Sequence, residues 1–124
     1  MDFSSLVGKT LVSVKVSGDK ERIDFEDSEG SKYVMWHHQD CCESVSVESI
    51  VGDLEDLIAE PILRAEEAVS DQDINPPDVE VPEYQESFTW TFYKLATRKG
   101  YVDIRWYGSS NGCYSERVDF EKVG

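Results

Sequence analysis

The sequence is short of basic residues, and this shortage narrows the range of partners. Only 12 Lys and Arg stand against 26 Asp and Glu, which gives a formal net charge of −14. Such a field repels nucleic acid and anionic membranes, and it attracts basic protein surfaces or cations. We therefore expect no direct binding to nucleic acid or membrane, and a partner protein with a basic surface.

Cysteine and long apolar runs are also scarce. The three cysteines make an odd count, and the adjacent Cys41 and Cys42 could join only through a strained ring, so we expect reduced thiols. The first residues lack a basic stretch followed by an apolar one, and nowhere do about 18 apolar residues run together. These features predict a cytoplasmic protein.

The negative charge is concentrated in one part of the chain. Residues 53–86 contain twelve acidic residues and a single basic one, Arg64, whereas residues 87–124 contain four acidic and six basic residues. A chain of this length fits one domain, residues 1–124, and its 3 Trp, 6 Tyr and 5 Phe can form its core. We expect a folded domain with one strongly acidic region.

Alternating apolar residues predict strands in the first third of the sequence. The segments 10–16 and 22–26 alternate around a turn at Ser17-Gly18-Asp19-Lys20, which is typical of a hairpin. Asp27-Ser28-Glu29-Gly30 then turns the chain into a third strand at 32–37. The segment 43–48 predicts a further short strand.

The middle of the chain predicts one short helix. Ile50, Leu54, Leu57 and Ile58 recur at helical spacing, with acidic residues at the expected start and Pro61 at the end. The segment 62–69 is compatible with a helix or a strand, and its surroundings favour a strand.

A long acidic loop and further strands complete the prediction. Residues 71–86 hold three prolines and no apolar period, which is typical of a loop. Alternation then predicts strands near 88–93, 102–107 and 114–120. The predicted fold class is therefore α+β, mainly antiparallel sheet of about six to eight strands, with one short helix.

Four sequence motifs resemble an uncharacterised family of small bacteriophage and prophage proteins. The motifs are Gln39-Asp40-Cys41-Cys42-Glu43-Ser44-Val45, Gly52-Asp53-Leu54-Glu55-Asp56-Leu57, Thr89-Trp90-Thr91-Phe92-Tyr93-Lys94 and Arg105-Trp106-Tyr107-Gly108. The resemblance extends from Gly8 to about Glu121 and implies a phage setting, with a bacterial host cell as the location. It implies no activity.

One cluster carries the ligand types that transition metals prefer. It comprises His37, Asp40, Cys41, Cys42 and Glu43, with His38 beside them. Zinc sites usually pair ligands two to four residues apart on each of two knuckles, and no second Cys/His knuckle exists. We therefore favour a structural role for the cluster, and a small-ligand or metal-binding domain centred on His37 to Glu43 is the alternative hypothesis. A Cys–His nucleophile pair is a weaker interpretation, because it requires a turn between the two residues.

Other features are less specific. The mixture of aromatic and cationic residues at Arg98, Lys99, Arg105, Trp106 and Tyr107 is found on surfaces that stack bases, but alternation with Val102 and Ile104 predicts that Trp106 belongs to the core. The familiar enzyme and cofactor motifs are absent. We expect no catalysis and no cofactor.

The acidic loop gives the preferred hypothesis. In an extended segment Asp78, Glu80 and Glu83 would lie about 7 to 10 Å apart, close to the roughly 7 Å between successive phosphates of a DNA strand. The alternative is a solvated loop with no binding role. We expect a small acidic phage accessory protein that binds and inhibits a host protein, such as a nucleic-acid-binding defence complex, through Asp71, Asp73, Asp78, Glu80, Glu83 and Glu86.

Overall fold

A computed structural model describes residues 2–37, 43–71, 87–110 and 116–123. Its strands are β1 (Leu11–Val16), β2 (Arg22–Asp27), β3 (Lys32–Trp36), β4 (Ser44–Val51), β5 (Arg64–Asp71), β6 (Ser87–Thr97), β7 (Gly100–Ser110) and β8 (Asp119–Lys122). Two short 3₁₀ helices, η1 (Phe3–Leu6) and η2 (Leu54–Leu57), are the helical elements of these described ranges.

The strands form two antiparallel sheets of four. The first sheet has the order β1-β2-β3-β8, and the second has the order β4-β7-β6-β5. Successive side chains of a strand point to opposite faces of the sheet, so buried and more exposed residues alternate along it. In β2, for example, Ile23, Phe25 and Asp27 are buried and the residues between them are more exposed. The strands predicted at 10–16, 22–26 and 32–37 are confirmed as the meander β1-β2-β3.

The inner faces of both sheets contribute to one buried apolar cluster. Phe25, Tyr33 and Phe120 come from the first sheet, and Tyr93 and Trp106 come from the second. The Trp106 indole N–H donates to Met35 Sδ across the sheets at 3.1 Å. Burying these aromatic side chains stabilises the fold by roughly 2 kcal/mol for each one fully buried, so the inter-sheet cluster is a major source of stability.

The α+β fold class is wrong, because the described residues form antiparallel sheet without an α-helix. The helical spacing of Ile50, Leu54, Leu57 and Ile58 arises from three different structures: the end of β4, η2, and an isolated bridge from Ile58 to Leu11. All four side chains face the core. Positive φ angles at Gly52 and Ala59 limit the segment between them to a single 3₁₀ turn.

The other ambiguous elements are resolved as strands. The segment 62–69 contributes most of β5, which pairs with β6. The final strand is shorter than predicted, and β8 pairs with β3 of the first sheet. Tyr114 and most of the predicted loop 71–86 lie outside the described residues.

Gly108 lets the segment before β8 cross over the inner face of β7. A Cβ atom at this position would lie 2.6 Å from the Glu116 carbonyl oxygen and 2.9 Å from Glu116 Cβ. These distances are too short for a side chain, so the glycine in the Arg-Trp-Tyr-Gly motif has a packing role.

We expect Gly108→Ala to lower the free energy of unfolding by about 2 kcal/mol, because the added methyl group overpacks this crossing. Urea denaturation would measure the loss. The control is Gly18→Ala, since a Cβ atom at Gly18 meets nothing within 4 Å. Equal stabilities of the two variants would contradict the packing role.

Candidate functional site

The acidic residues predicted to bind a partner lie mostly outside the described residues. Asp73, Asp78, Glu80, Glu83 and Glu86 belong to that group, and Asp71 is described only by its backbone, at the end of β5 opposite Thr89. Their binding role stays a prediction.

The His37 to Glu43 cluster is described at its two ends. His37 Nε2 lies 3.0 Å from Glu43 Oε1, and the two side chains are 3% and 1% exposed. His37 Nδ1 lies 2.7 Å from the Arg117 carbonyl oxygen. Asp40, Cys41 and Cys42 lie outside the described residues, so the cluster as a whole is not tested.

The hydrogen bonds of His37 define where its protons lie. A carbonyl oxygen only accepts, so Nδ1 carries a proton and donates it to Arg117. The contact with Glu43 then requires one further proton, either on Nε2 or on the carboxyl group. Both ring nitrogens therefore have internal partners, which favours the structural interpretation over the ligand-binding one.

His37 contacts a residue six positions later in the chain, Glu43, and a residue that is distant in sequence, Arg117. His37 follows β3 of the first sheet, Glu43 precedes β4 of the second, and Arg117 precedes β8. The imidazole ring therefore holds the chain together where it passes from one sheet to the other. A metal analysis of protein purified without chelator, with titration of Cys41 and Cys42, would test the alternative hypothesis.

A second buried polar contact lies where the segment before β8 crosses β7 at Gly108. The Thr89 hydroxyl donates to Glu116 Oε1 at 2.8 Å, and both residues are buried. On the opposite face of the sheet, burial and the charge of Glu116 raise the pKa of Tyr107 to about 12. Among the described residues, the Tyr107 hydroxyl has no hydrogen-bond partner.

A third buried group is Asp27, which the sequence analysis treated only as part of a turn. Its carboxylate accepts hydrogen bonds from the N–H groups of Glu29 and Ser31, and from the Tyr33 hydroxyl at 3.0 Å. Burial raises the pKa of Asp27, but hydrogen bonds led by those of Ser31 and Tyr33 outweigh it and hold the pKa below its ordinary value. The Asp-Ser-Glu-Gly turn is the signal that could have identified this role.

The aromatic and cationic residues are divided between the two faces of the second sheet. Trp106 is fully buried in the inter-sheet cluster, as predicted. Tyr107 packs against Trp90 on the other face, and the Arg105 guanidinium lies 5.5 Å from the Trp90 ring centroid while its Nε donates to Glu48. Lys99 instead donates to the Glu55 and Ile58 carbonyls at η2. These residues therefore do not form one base-stacking surface.

The outer face of the second sheet contains a shallow groove of about 220 Å³. Phe92 lines this groove, and Lys94, Asp103 and Arg105 contribute charges of both signs. Its volume lies below the 300 to 1,000 Å³ typical of small-molecule sites. Within the described ranges, no group of three or more His, Cys, Asp or Glu side chains is arranged to hold a metal ion.

The described acidic residues are mostly on the surface. Asp27, Glu43 and Glu116 are the buried ones, and each has an internal partner. The rest are exposed or partly exposed, including Asp53, Glu55, Glu66 and Glu67. The negative charge of this part of the chain is therefore presented to solvent.

Comparison with known proteins defines the family. The chain belongs to the family described as a domain of unknown function, DUF7448, whose model matches residues 4–120. No curated protein and no solved structure matches the chain. Across the described ranges, the structure contains no helix long and apolar enough to cross a membrane.

We expect His37→Leu to lower the free energy of unfolding by about 3 to 5 kcal/mol, because it removes the imidazole that contacts the buried Glu43 carboxyl at 3.0 Å. Glu43→Leu should have a similar effect, and the double variant should lose clearly less than the sum of the two. Chemical denaturation of all four proteins gives the coupling energy. Arg64→Ala, which breaks an exposed ion pair with Glu66, is the control and should cost less than about 1 kcal/mol. Additive losses at His37 and Glu43 would contradict the coupling.

Asp27 should make the protein sensitive to acid. Its pKa lies below the ordinary 3.8 in the folded state, so its stabilising contribution is complete above that value and is lost as the pH falls through the folded pKa. The stability difference between the wild type and Asp27→Asn should therefore shrink below pH 3.8. Denaturation at several pH values would measure this. Tyr33→Phe, which removes one of the hydrogen bonds, should show a smaller change of the same sign, and a difference independent of pH would refute the assignment.

Proposed function

We propose that this protein is a small acidic accessory protein of bacteriophage or prophage that binds and inhibits a host protein without catalysis. The target has a basic surface, and a nucleic-acid-binding defence complex is the class that fits best. The observation that carries the proposal is the charge distribution, with twelve acidic residues and one basic residue between 53 and 86. The phage setting is supported by the motifs described above.

The placement of the described carboxylates supports a surface role for this charge. Buried carboxylates are satisfied inside the fold, whereas Asp53, Glu55, Glu66 and Glu67 are exposed. Exposed charges attract an oppositely charged partner over distances set by salt, about 8 Å at physiological ionic strength. Such attraction mainly accelerates association and selects partners by charge.

The proposed target class follows from the same electrostatics. A surface that binds nucleic acid is basic, and an extended acidic segment can present carboxylates at a spacing close to that of phosphates. An acidic protein that occupies such a surface competes with nucleic acid without needing a reaction. Inhibition by occupancy therefore requires only affinity and complementary charge.

We expect simultaneous conversion of Asp71, Asp73, Asp78, Glu80, Glu83 and Glu86 to Asn or Gln to slow association with the captured host partner. Affinity capture from host lysate identifies the partner, and association rates at several salt concentrations measure the effect. The wild-type rate should fall steeply with salt.

The control converts six other acidic residues that are not buried, Asp2, Asp19, Glu21, Asp24, Glu26 and Glu29, and removes the same charge. Asp27 is left unchanged because it is buried. Equal losses in the two variants would show that net charge alone explains the attraction. Unchanged rates in both would refute the electrostatic proposal.

A further inference from the structure

Part of the outer face of the second sheet is open to solvent and carries large side chains. Tyr101 is 71% exposed, and Lys94 and Asp103 are exposed beside the groove that Phe92 lines. Toward Trp90, which is fully buried, the same face is already packed. Exposed apolar surface bordered by charges is typical of an interaction site. The outer patch, as we name this area, comprises Phe92, Lys94 and Ala96 of β6 with Tyr101, Asp103 and Arg105 of β7.

The strands place the outer patch on one face and in three rows. The side chains between its members point inward and belong to the inter-sheet cluster: Tyr93, Leu95, Val102 and Ile104. Alternation along each strand therefore directs the members of the outer patch to the opposite face. The register of β6 with β7 then pairs them across the sheet: Ala96 with Tyr101, Lys94 with Asp103, and Phe92 with Arg105.

The charges of the outer patch are balanced, although the chain has a net charge of −14. Arg105 Nε donates to Glu48 at 2.6 Å, so this cation already has an anionic partner. The other two charges are Lys94 and Asp103, which are opposite in sign, and neither forms an ion pair with a described residue. A basic partner gains little here, because Lys94 repels it while Asp103 attracts it.

A second copy of the chain is complementary to this arrangement of charges. In a dimer whose two-fold axis runs parallel to the strands and between β6 and β7, each β6 lies over β7 of the other copy. Each row then faces itself in reverse order. Lys94 faces Asp103 of the second copy, and Asp103 faces Lys94 of the second copy. Packing of two sheets with nearly aligned strands, about 10 Å apart, is a common arrangement in proteins.

The two neighbouring rows are complementary in the same dimer. The small Ala96 side chain faces Tyr101 of the second copy, so the largest exposed ring meets the smallest residue of the outer patch. Phe92 faces Arg105 of the second copy, and an aromatic ring attracts a guanidinium group. Symmetry forms each of these contacts twice. All three rows next to the axis therefore favour the same occupant.

We propose that the outer patch is the contact surface of a symmetric dimer, in which Lys94 and Asp103 of each copy pair with Asp103 and Lys94 of the other. This inference goes beyond the proposed function and does not depend on it. The dimer is weak, because the outer patch covers only part of one sheet face and two chains of net charge −14 repel each other. Salt strengthens it, since screening removes repulsion between distant charges more than attraction between charges in contact.

Sedimentation velocity tests the dimer at protein concentrations up to about 1 mM. The salt concentrations are about 0.1 M and about 1 M, between which the screening length falls from about 10 Å to about 3 Å. We expect a monomer–dimer equilibrium with a lower Kd at the higher salt. Attraction to a basic partner weakens with salt, so the two kinds of binding are distinguishable. A protein that stays monomeric at the highest protein and salt concentrations overturns the proposal.

Charge reversal tests the surface. Lys94→Glu and Asp103→Lys should each raise the Kd of the dimer at least about tenfold, because like charges then face each other. An equimolar mixture of the two variants should recover most of the affinity. In the mixed dimer the introduced glutamate faces the introduced lysine, and the native Asp103 faces the native Lys94.

The matched controls are Lys15→Glu and Glu29→Lys, which make the same changes of net charge at exposed positions outside the outer patch. Each should change the Kd less than about threefold, and their mixture should bind no better than either alone. Thermal melts would confirm that all four variants fold. Equal effects of patch and control variants, or no recovery when the patch variants are mixed, would overturn the proposed surface.

Discussion

The contact between His37, Glu43 and the Arg117 carbonyl holds the two sheets in their relative positions. It lies where the chain leaves β3, where it enters β4 and where it approaches β8, so one imidazole ring fixes three backbone segments. Buried polar contacts of this kind define geometry more than they add stability, since forming them requires removing the groups from water. Here the geometry they define includes the pairing of β8 with β3, which completes the first sheet.

The acidic composition is compatible with a folded core because the carboxylates are divided between two environments. Each of the buried carboxyl groups forms a hydrogen bond with a specific side chain: Asp27 with Tyr33, Glu43 with His37, and Glu116 with Thr89. The remaining described acids are at least partly exposed to water, where their mutual repulsion is screened by salt. The self-repulsion of an acidic surface lowers stability, and the aromatic cluster between the sheets offsets it.

Local patterns predicted much of the fold, but long-range pairing could not be predicted from them. Alternation of apolar and polar residues identified β1, β2, β3, β6 and β7, although β3 and β6 also bury residues on their second face, such as Val34 and Trp90. The helix predicted from Ile50 to Ile58 was wrong because residues of a strand end, a 3₁₀ turn and a bridge can share helical spacing when all face one core. The proximity of His37 to Arg117 had no local signal, since these residues are separated by most of the chain. Gly108 belongs to the Arg-Trp-Tyr-Gly motif, but the motif alone could not predict its packing role. That role depends on the close approach of Glu116, which is a feature of the tertiary structure.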